Sequence, residues 1–305
     1  MRVQTNGRCY SDLLYRKQIG TKKFKSKDSE YEYSLPVYKN VKKKIRVLSD
    51  LHLDVNKDYP LELEDKDTFT VICGDIAGEY EYAKEWLNNN IKNGIIIEGN
   101  HILYNRDGLS LQELYKRYQK DYTLDNNVTF LQNNHKVIDN IVFVGCTLWT
   151  NYRLFGRLST WQCERYMNDF RWGCYEECEW TGLNSKFIKT KLEPKHCIHE
   201  FYESLRYIDS VCEEYPNNKI VVVTHHCPSI KCIDKFYSND ECTPAYASNL
   251  ESFIKDHSNI VCWLCGHSHN QCDFEIDGCR VVMNCRGYCC RNEDKNFNPN
   301  KTILI

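Results

Sequence analysis

Five short strings of side chains able to grip a cation are spread between residues 50 and 269: Asp50-Leu51-His52, Gly74-Asp75, Gly99-Asn100-His101, His225-His226 and Gly266-His267-Ser268-His269. They take in six of the chain's ten histidines. Carboxylate, amide oxygen and neutral imidazole, with no thiolate among them, are the donors that suit a pair of divalent ions such as Mn, Fe, Zn or Mg. Two such ions carry four positive charges. Asp50 and Asp75 cancel two and a bridging hydroxide one more, which leaves a net positive centre suited to a phosphate oxyanion. Water on such ions is acidified to a pKa of about 7, so hydroxide is available at neutral pH.

The elements that must hold these strings are short apolar runs rich in β-branched residues, each closed by a polar loop. Ile45-Arg46-Val47-Leu48 runs into Asp50, Phe69 to Cys73 into Asp75, and Ile95-Ile96-Ile97 into Asn100. Ile220 to Val223 runs into His225, and Ile260 to Leu264 into His267. All five strings therefore fall at the carboxyl ends of expected strands, the edge along which open α/β sheets bind ligands. Alternation along a strand predicts that Asp50 and His52, two apart, point to one face.

These strings resemble the D-x-H, GD, GNH, H and GHxH signature of the calcineurin-like metallophosphoesterases over roughly Lys44 to Gly287. Thr147-Leu148-Trp149-Thr150, Met167-Asn168-Asp169 and Thr224 to Ser229 resemble a bacterial-type branch of that family. The resemblance implies a four-layer α/β/β/α sandwich of two mixed sheets. It also implies that Asp50, His52 and His269 hold one ion, that Asn100, His225 and His267 hold the other, and that Asp75 bridges both. His101 is the implied proton donor to the leaving oxygen, a role that suits a side chain whose ordinary pKa lies near 6.5. His226, Arg153 and Arg286 are the further candidate substrate contacts. Ile102 stands where many members carry an acid, and Glu98 where many carry Pro or a small apolar residue.

The expected reaction is in-line attack of a metal-held hydroxide on the phosphorus of a phosphomonoester or phosphodiester. Metal-dependent nuclease activity is the alternative, and a non-catalytic scaffold is a third reading that the complete ligand set disfavours. Residues 1–44 carry 12 Lys and Arg against 4 Asp and Glu, so the remainder, with 28 against 38, carries a net −10. An acidic body offers no track for a long polyanion. The arm containing Lys22 to Lys27 could bind nucleic acid, but a solvated arm is favoured. Residues 1–43 thus read as a basic extension and 44–305 as the phosphoesterase domain.

At 305 residues and 42% hydrophobic content the chain can bury a sizeable core. It shows no bilayer-length apolar run and no signal peptide, so an intracellular, cytoplasmic location and reduced thiols are expected for its 18 cysteines. Cys262 and Cys265 form the only CxxC, and they read as opposite faces of a buried strand rather than a zinc knuckle. Four of six tryptophans fall between Trp149 and Trp180, in and just before an aromatic insert of about residues 150–192, read as a packed subdomain or as a stacking surface with Asn151, Arg153, Asn168 and Arg171. Pro194 to Glu214 is an expected amphipathic helix. Asp277-Gly278 marks a hairpin turn.

Overall fold

The computed structural model describes residues 16–25, 32–40, 42–105, 108–121, 127–180 and 185–305. A two-stranded antiparallel sheet of β1 (Arg16–Lys25) and β2 (Glu32–Asn40) comes first. The basic run from Lys22 lies at the end of β1 and, past Lys25, outside the described residues.

From there strands and helices alternate. β3 (Lys44–Leu48), β4 (Thr70–Cys73), α1 (Tyr80–Asn90), β5 (Asn93–Ile97), α2 (Leu111–Asp121) and β6 (Asn127–Phe130) build a parallel sheet in the order β3-β4-β5-β6. A second sheet begins with β7 (Asn134–Ile138) and β8 (Ile141–Cys146). The insert follows, as α3 (Trp161–Tyr166), α4 (Asp169–Trp172) and the hairpin β9 (Cys174–Trp180) with β10 (Ser185–Lys191). Then α5 (Pro194–Glu214), β11 (Lys219–Thr224), α6 (Glu251–Asp256), β12 (Ile260–Cys265), β13 (Gln271–Ile276) and β14 (Cys279–Asn284) complete the second sheet, in the order β13-β14-β12-β11-β8-β7. β15 (Thr302–Leu304) returns antiparallel to the free edge of β3, so both sheets are mixed.

The central strands are apolar on both faces because each face is covered. Ile45, Val47, Val71, Ile95 and Ile97 from one sheet meet Phe143, Val221, Val223, Cys262 and Leu264 from the other. The alternate residues Leu48, Ile72 and Ile96 face α1 and α2. Val142, Val144, Val222 and Trp263 face α5 and α6. Four layers result, α/β/β/α, with helices outside two stacked sheets. Burial of each large aliphatic or aromatic side chain contributes about 1.5–3 kcal/mol, so the three apolar layers carry the fold.

Cys262 faces the layer between the sheets and Cys265 the α5 side, as alternation required. α5 spans the expected residues. Its first turn is closed by a capping box in which the Glu193 N–H donates to His196 Nδ1 at 2.9 Å. The turn after β13 has φ of 48° at Asp277 and 85° at Gly278, the left-handed pair that a two-residue hairpin of this kind demands. Among the described residues all cysteines are free thiols, and no helix is long and apolar enough to cross a membrane.

Candidate metal centre

Five parallel strands, β3, β4, β5, β11 and β12, end at one edge of the sandwich. Each delivers its string into the loop just beyond. Asp50 and His52 lie past the end of β3 rather than on it, so the pleat does not orient them. Their backbones are left-handed, with φ of 51° and 42°, and so are those of Asp75 (53°), His267 (72°) and His269 (50°). Left-handed turns at the strand ends fold the loops back on one another, and the Asp50 and His52 N–H groups donate to the carbonyls of Gly74 and Asp75 at 3.1 Å. The expectation from strand alternation is corrected here. Asp50 and His52 do converge, but by turning rather than by pleating.

Three overlapping groups of donor atoms result, the atoms of each lying within 4.8 Å of one another: Asp50, His52 and His269; His52, Asp75 and His101; Asp75, His225 and His267. Asp75 belongs to two of them. Its Oδ2 is 3.3 Å from His225 Nε2 and 3.8 Å from His101 Nε2. Asn100 presents Oδ1 at 3.1 Å from His225 Nε2.

Neighbouring groups set which ring nitrogen is free. His225 Nδ1 donates to the Cys73 carbonyl at 2.8 Å, and His269 Nδ1 donates to Glu293 at 2.6 Å. Both Nε2 atoms are thereby turned toward the cluster. The Nε2 atoms of His52 and His269 stand 2.9 Å apart, and the buried Nε2 of His267 has no hydrogen-bond partner. Orphaned imidazole nitrogens that converge on carboxylates fit a site for cations.

The electrostatics agree with that fit. Burial opposes ionisation of Asp75, yet the His225 and His101 imidazoles hold it well below the usual carboxylate range. Burial lowers His225 and His269, but Asp75 lifts the first to about 9, while Asp50 and Glu293 lift the second to about 10. Protons on these two rings thus occupy the role that metal cations would take over. His52 and His267, pushed well below their ordinary value by burial and by other histidines, stay neutral donors.

The glycines of the strings are space requirements. A Cβ on Gly99 would stand 2.1 Å from Asp75 Oδ1 and 2.6 Å from His225 Nε2. Gly99→Ala should therefore leave a folded chain, seen by circular dichroism, whose calorimetric affinity for Mn falls by at least about tenfold. Parent-like affinity would overturn this.

The donors open into a cleft of about 450 Å³, walled by His101, Tyr104, Tyr166, Met167 and Asn168 on one side and by Tyr237, Asp240, Thr243 and Tyr246 on the other. Tyr288, Arg291 and Glu293 close the third wall. His226 is not part of it. Its ring is buried against Trp149 and His267, with Nδ1 donating to the Thr147 carbonyl, and burial beside His225 lowers it to about 3. Arg286 is likewise buried, donating to the Tyr59 carbonyl, and Arg153 is exposed outside the cleft. All three were expected to contact substrate, and none of them lines this cleft. Of the polar candidates in the insert, Asn168 lines the cleft; Asn151 and Arg171 do not.

Several residues around the centre carry no mark in the sequence. Asp169 accepts from Asn100 Nδ2 at 2.8 Å and from the Tyr104 hydroxyl at 3.0 Å, which fixes the amide with its oxygen toward His225. Tyr288 stacks on His52 and places its hydroxyl 3.3 Å from His101 Nε2. Glu293 orients His269. Only Asp169, inside the Met167-Asn168-Asp169 string, had a signal that pointed toward it.

A family profile described as calcineurin-like phosphoesterase matches residues 43–271. The chain belongs to the calcineurin-like phosphoesterase family. It is thus a phosphoric ester hydrolase of a family that implies divalent metal ions. This phosphoesterase is 24% identical over 287 residues to uncharacterized protein L509 of Acanthamoeba polyphaga mimivirus, covering 86% of this chain and 96% of that protein. Its fold is similar to the phosphopantetheinyl hydrolase PptH of Mycobacterium tuberculosis, with a TM-score of 0.61 and 17% identity over 86% of this chain and 95% of that one. A putative 5'-nucleotidase from Staphylococcus aureus aligns with a TM-score of 0.42 and 15% identity, over 80% of this phosphoesterase and 49% of that chain.

In the phosphoesterase, Glu293→Gln keeps the shape of the His269 partner but removes its charge. Loss of such a supporting carboxylate should weaken metal affinity about 10–100-fold. Isothermal titration with Mn checks it, and unchanged affinity would show that Glu293 is a bystander.

Proposed function

We propose that the chain hydrolyses a phosphomonoester or phosphodiester of a small molecule at a centre for two divalent ions. The observation that carries this reading is the sharing of Asp75 between two donor groups. Only a carboxylate offers two anionic oxygens to two cations. Asp50, His52 and His269 would hold one ion, and Asn100, His225 and His267 the other, with Asp75 common to both. The ions, when bound, supply Lewis acidity and an acidified water.

The chain's own side chains do the rest. His101 lines the cleft beside Asp75 and stands where a leaving oxygen could take a proton from Nε2, with the Tyr288 hydroxyl holding that ring edge. Tyr104, Tyr246 and Tyr288 give the cleft ring faces for an organic group, and Arg291 is the one Lys or Arg among the described residues lining it. Asp234, Asp240 and Glu293 share that lining, so the approach is not a track for a polyanion. This favours a compact ester over a nucleic-acid strand and sets nuclease activity second. Residues 44–305 form the catalytic unit in this reading, with 1–43 an extension; the family match beginning at residue 43 supports that boundary.

The test is metal analysis of the purified protein, followed by a panel of phosphomonoesters, phosphodiesters, cyclic nucleotides, oligonucleotides and a phosphopantetheinyl protein, the last suggested by the name of PptH. Metal-dependent release from compact esters is expected. Preferential cleavage of oligonucleotides, weakening steeply with salt, would replace this reading with the nuclease.

A further inference from the structure

Behind the histidine loops lies a second cluster made of sulfur. Cys227 follows β11, Cys232 ends the single turn Ile230–Cys232, and Cys265 is the last residue of β12. All three are fully buried, and their Sγ atoms lie within 4.8 Å of one another. Cys232 and Cys265 are 3.9 Å apart at sulfur. That is far beyond a disulfide bond of about 2.05 Å. It is close to the edge, about 3.8 Å, of a tetrahedron whose zinc–sulfur bonds are about 2.3 Å. Cys272, half-buried on β13, is a side-chain neighbour of Cys232 and so the candidate for a fourth sulfur beside this group of three. The Met283 thioether, 4.0 Å from Cys227, adds to the soft surroundings.

Buried cysteines are ordinarily small core residues. Three that converge from the loop after β11 and the end of β12, with two sulfurs already at ligand spacing and Cys272 of β13 beside one of them, call for more than packing. We propose that Cys227, Cys232, Cys265 and Cys272 form a separate thiolate site that takes one zinc(II) ion. Binding would release the thiol protons to solvent and leave zinc–sulfur bonds in their place. Thiolates prefer such an ion, whereas the imidazole and carboxylate centre also suits harder ones such as Mn or Mg.

The position gives the ion a positioning role. Cys227 lies two residues after His225, and Cys265 two before His267. The Cys232 carbonyl already accepts from Ser268 Oγ and Asn270 Nδ2, both at 3.1 Å, and so ties this loop to the string that carries His267 and His269. A zinc ion here would fasten the loops that carry three of the donors at the hydrolytic centre. The inference does not depend on the proposed reaction.

Cobalt(II) loading of the full-length, reduced protein tests it. Sulfur-bound cobalt gives an intense thiolate-to-metal charge-transfer band, which imidazole and carboxylate ligands cannot produce. The wild type should show that band at one equivalent, His225→Ala should retain it, and Cys232→Ser combined with Cys265→Ser should lose it. Should the double variant fail to fold, X-ray absorption at the zinc edge of the wild type decides, with a sulfur shell at about 2.3 Å expected. Absence of the band in wild-type protein, its persistence in the folded double variant, a zinc shell of nitrogen and oxygen alone, or a Cys232–Cys265 disulfide in the purified chain would overturn the proposal.

Discussion

Asp75→Asn should lower kcat/KM on any phosphate ester by about a thousandfold or more, equivalent to about 4 kcal/mol of lost transition-state stabilisation. The amide that replaces the carboxylate offers one uncharged oxygen where two anionic ones are needed. Asp75 is also the largest influence raising His225, so the substitution alters the charge of a second donor as well. Metal content, read by mass spectrometry of the purified variant, should fall together with turnover. Parent-like turnover in this variant would assign the activity to a contaminant.

His101→Ala should lower turnover by about 10²–10⁴ while leaving metal content nearly intact, since the ring shares the donor cluster only at its edge. The size of the effect should depend on the ester. A nitrophenyl leaving group departs as a stable anion and needs little help, so its hydrolysis should suffer least. An alkyl ester, whose alkoxide must be protonated, should suffer most. Equal losses on both esters, or loss of the metals, would remove His101 from the role of proton donor.

The sequence made the donor strings readable for a physical reason. A buried parallel strand is a dense apolar run, and whatever ends it at the ligand-binding edge stands out against it, as Asp75 does after Val71-Ile72-Cys73. α5 was equally legible, because Ile198, Phe201, Leu205, Ile208 and Cys212 repeat at helical spacing behind Pro194. The residues that aim the donors were not. Glu293 and Tyr288 come from an irregular segment with no periodicity, and their partners His269 and His52 are fixed only by the tertiary fold. Arg286 and His226, expected as substrate contacts, sit beside the right strings but are buried and off the cleft lining, a turn that only the tertiary fold sets. Cys265 was rightly placed on a core strand, yet its neighbours Cys227 and Cys232, spaced C-x4-C, come from another loop, and only the tertiary fold brings the three sulfurs together.

Left-handed backbone at Asp50, His52, Asp75, His267 and His269 has an evolutionary corollary. Each such residue costs about 1 kcal/mol or more, so together they withhold a sizeable part of the roughly 5–15 kcal/mol that keeps an ordinary domain folded. Glycine or asparagine at these positions would relax the chain and disarm it in the same step. A lineage released from the need for chemistry would drift toward such substitutions, and a mutant library screened for heat tolerance alone would enrich robust, inert proteins.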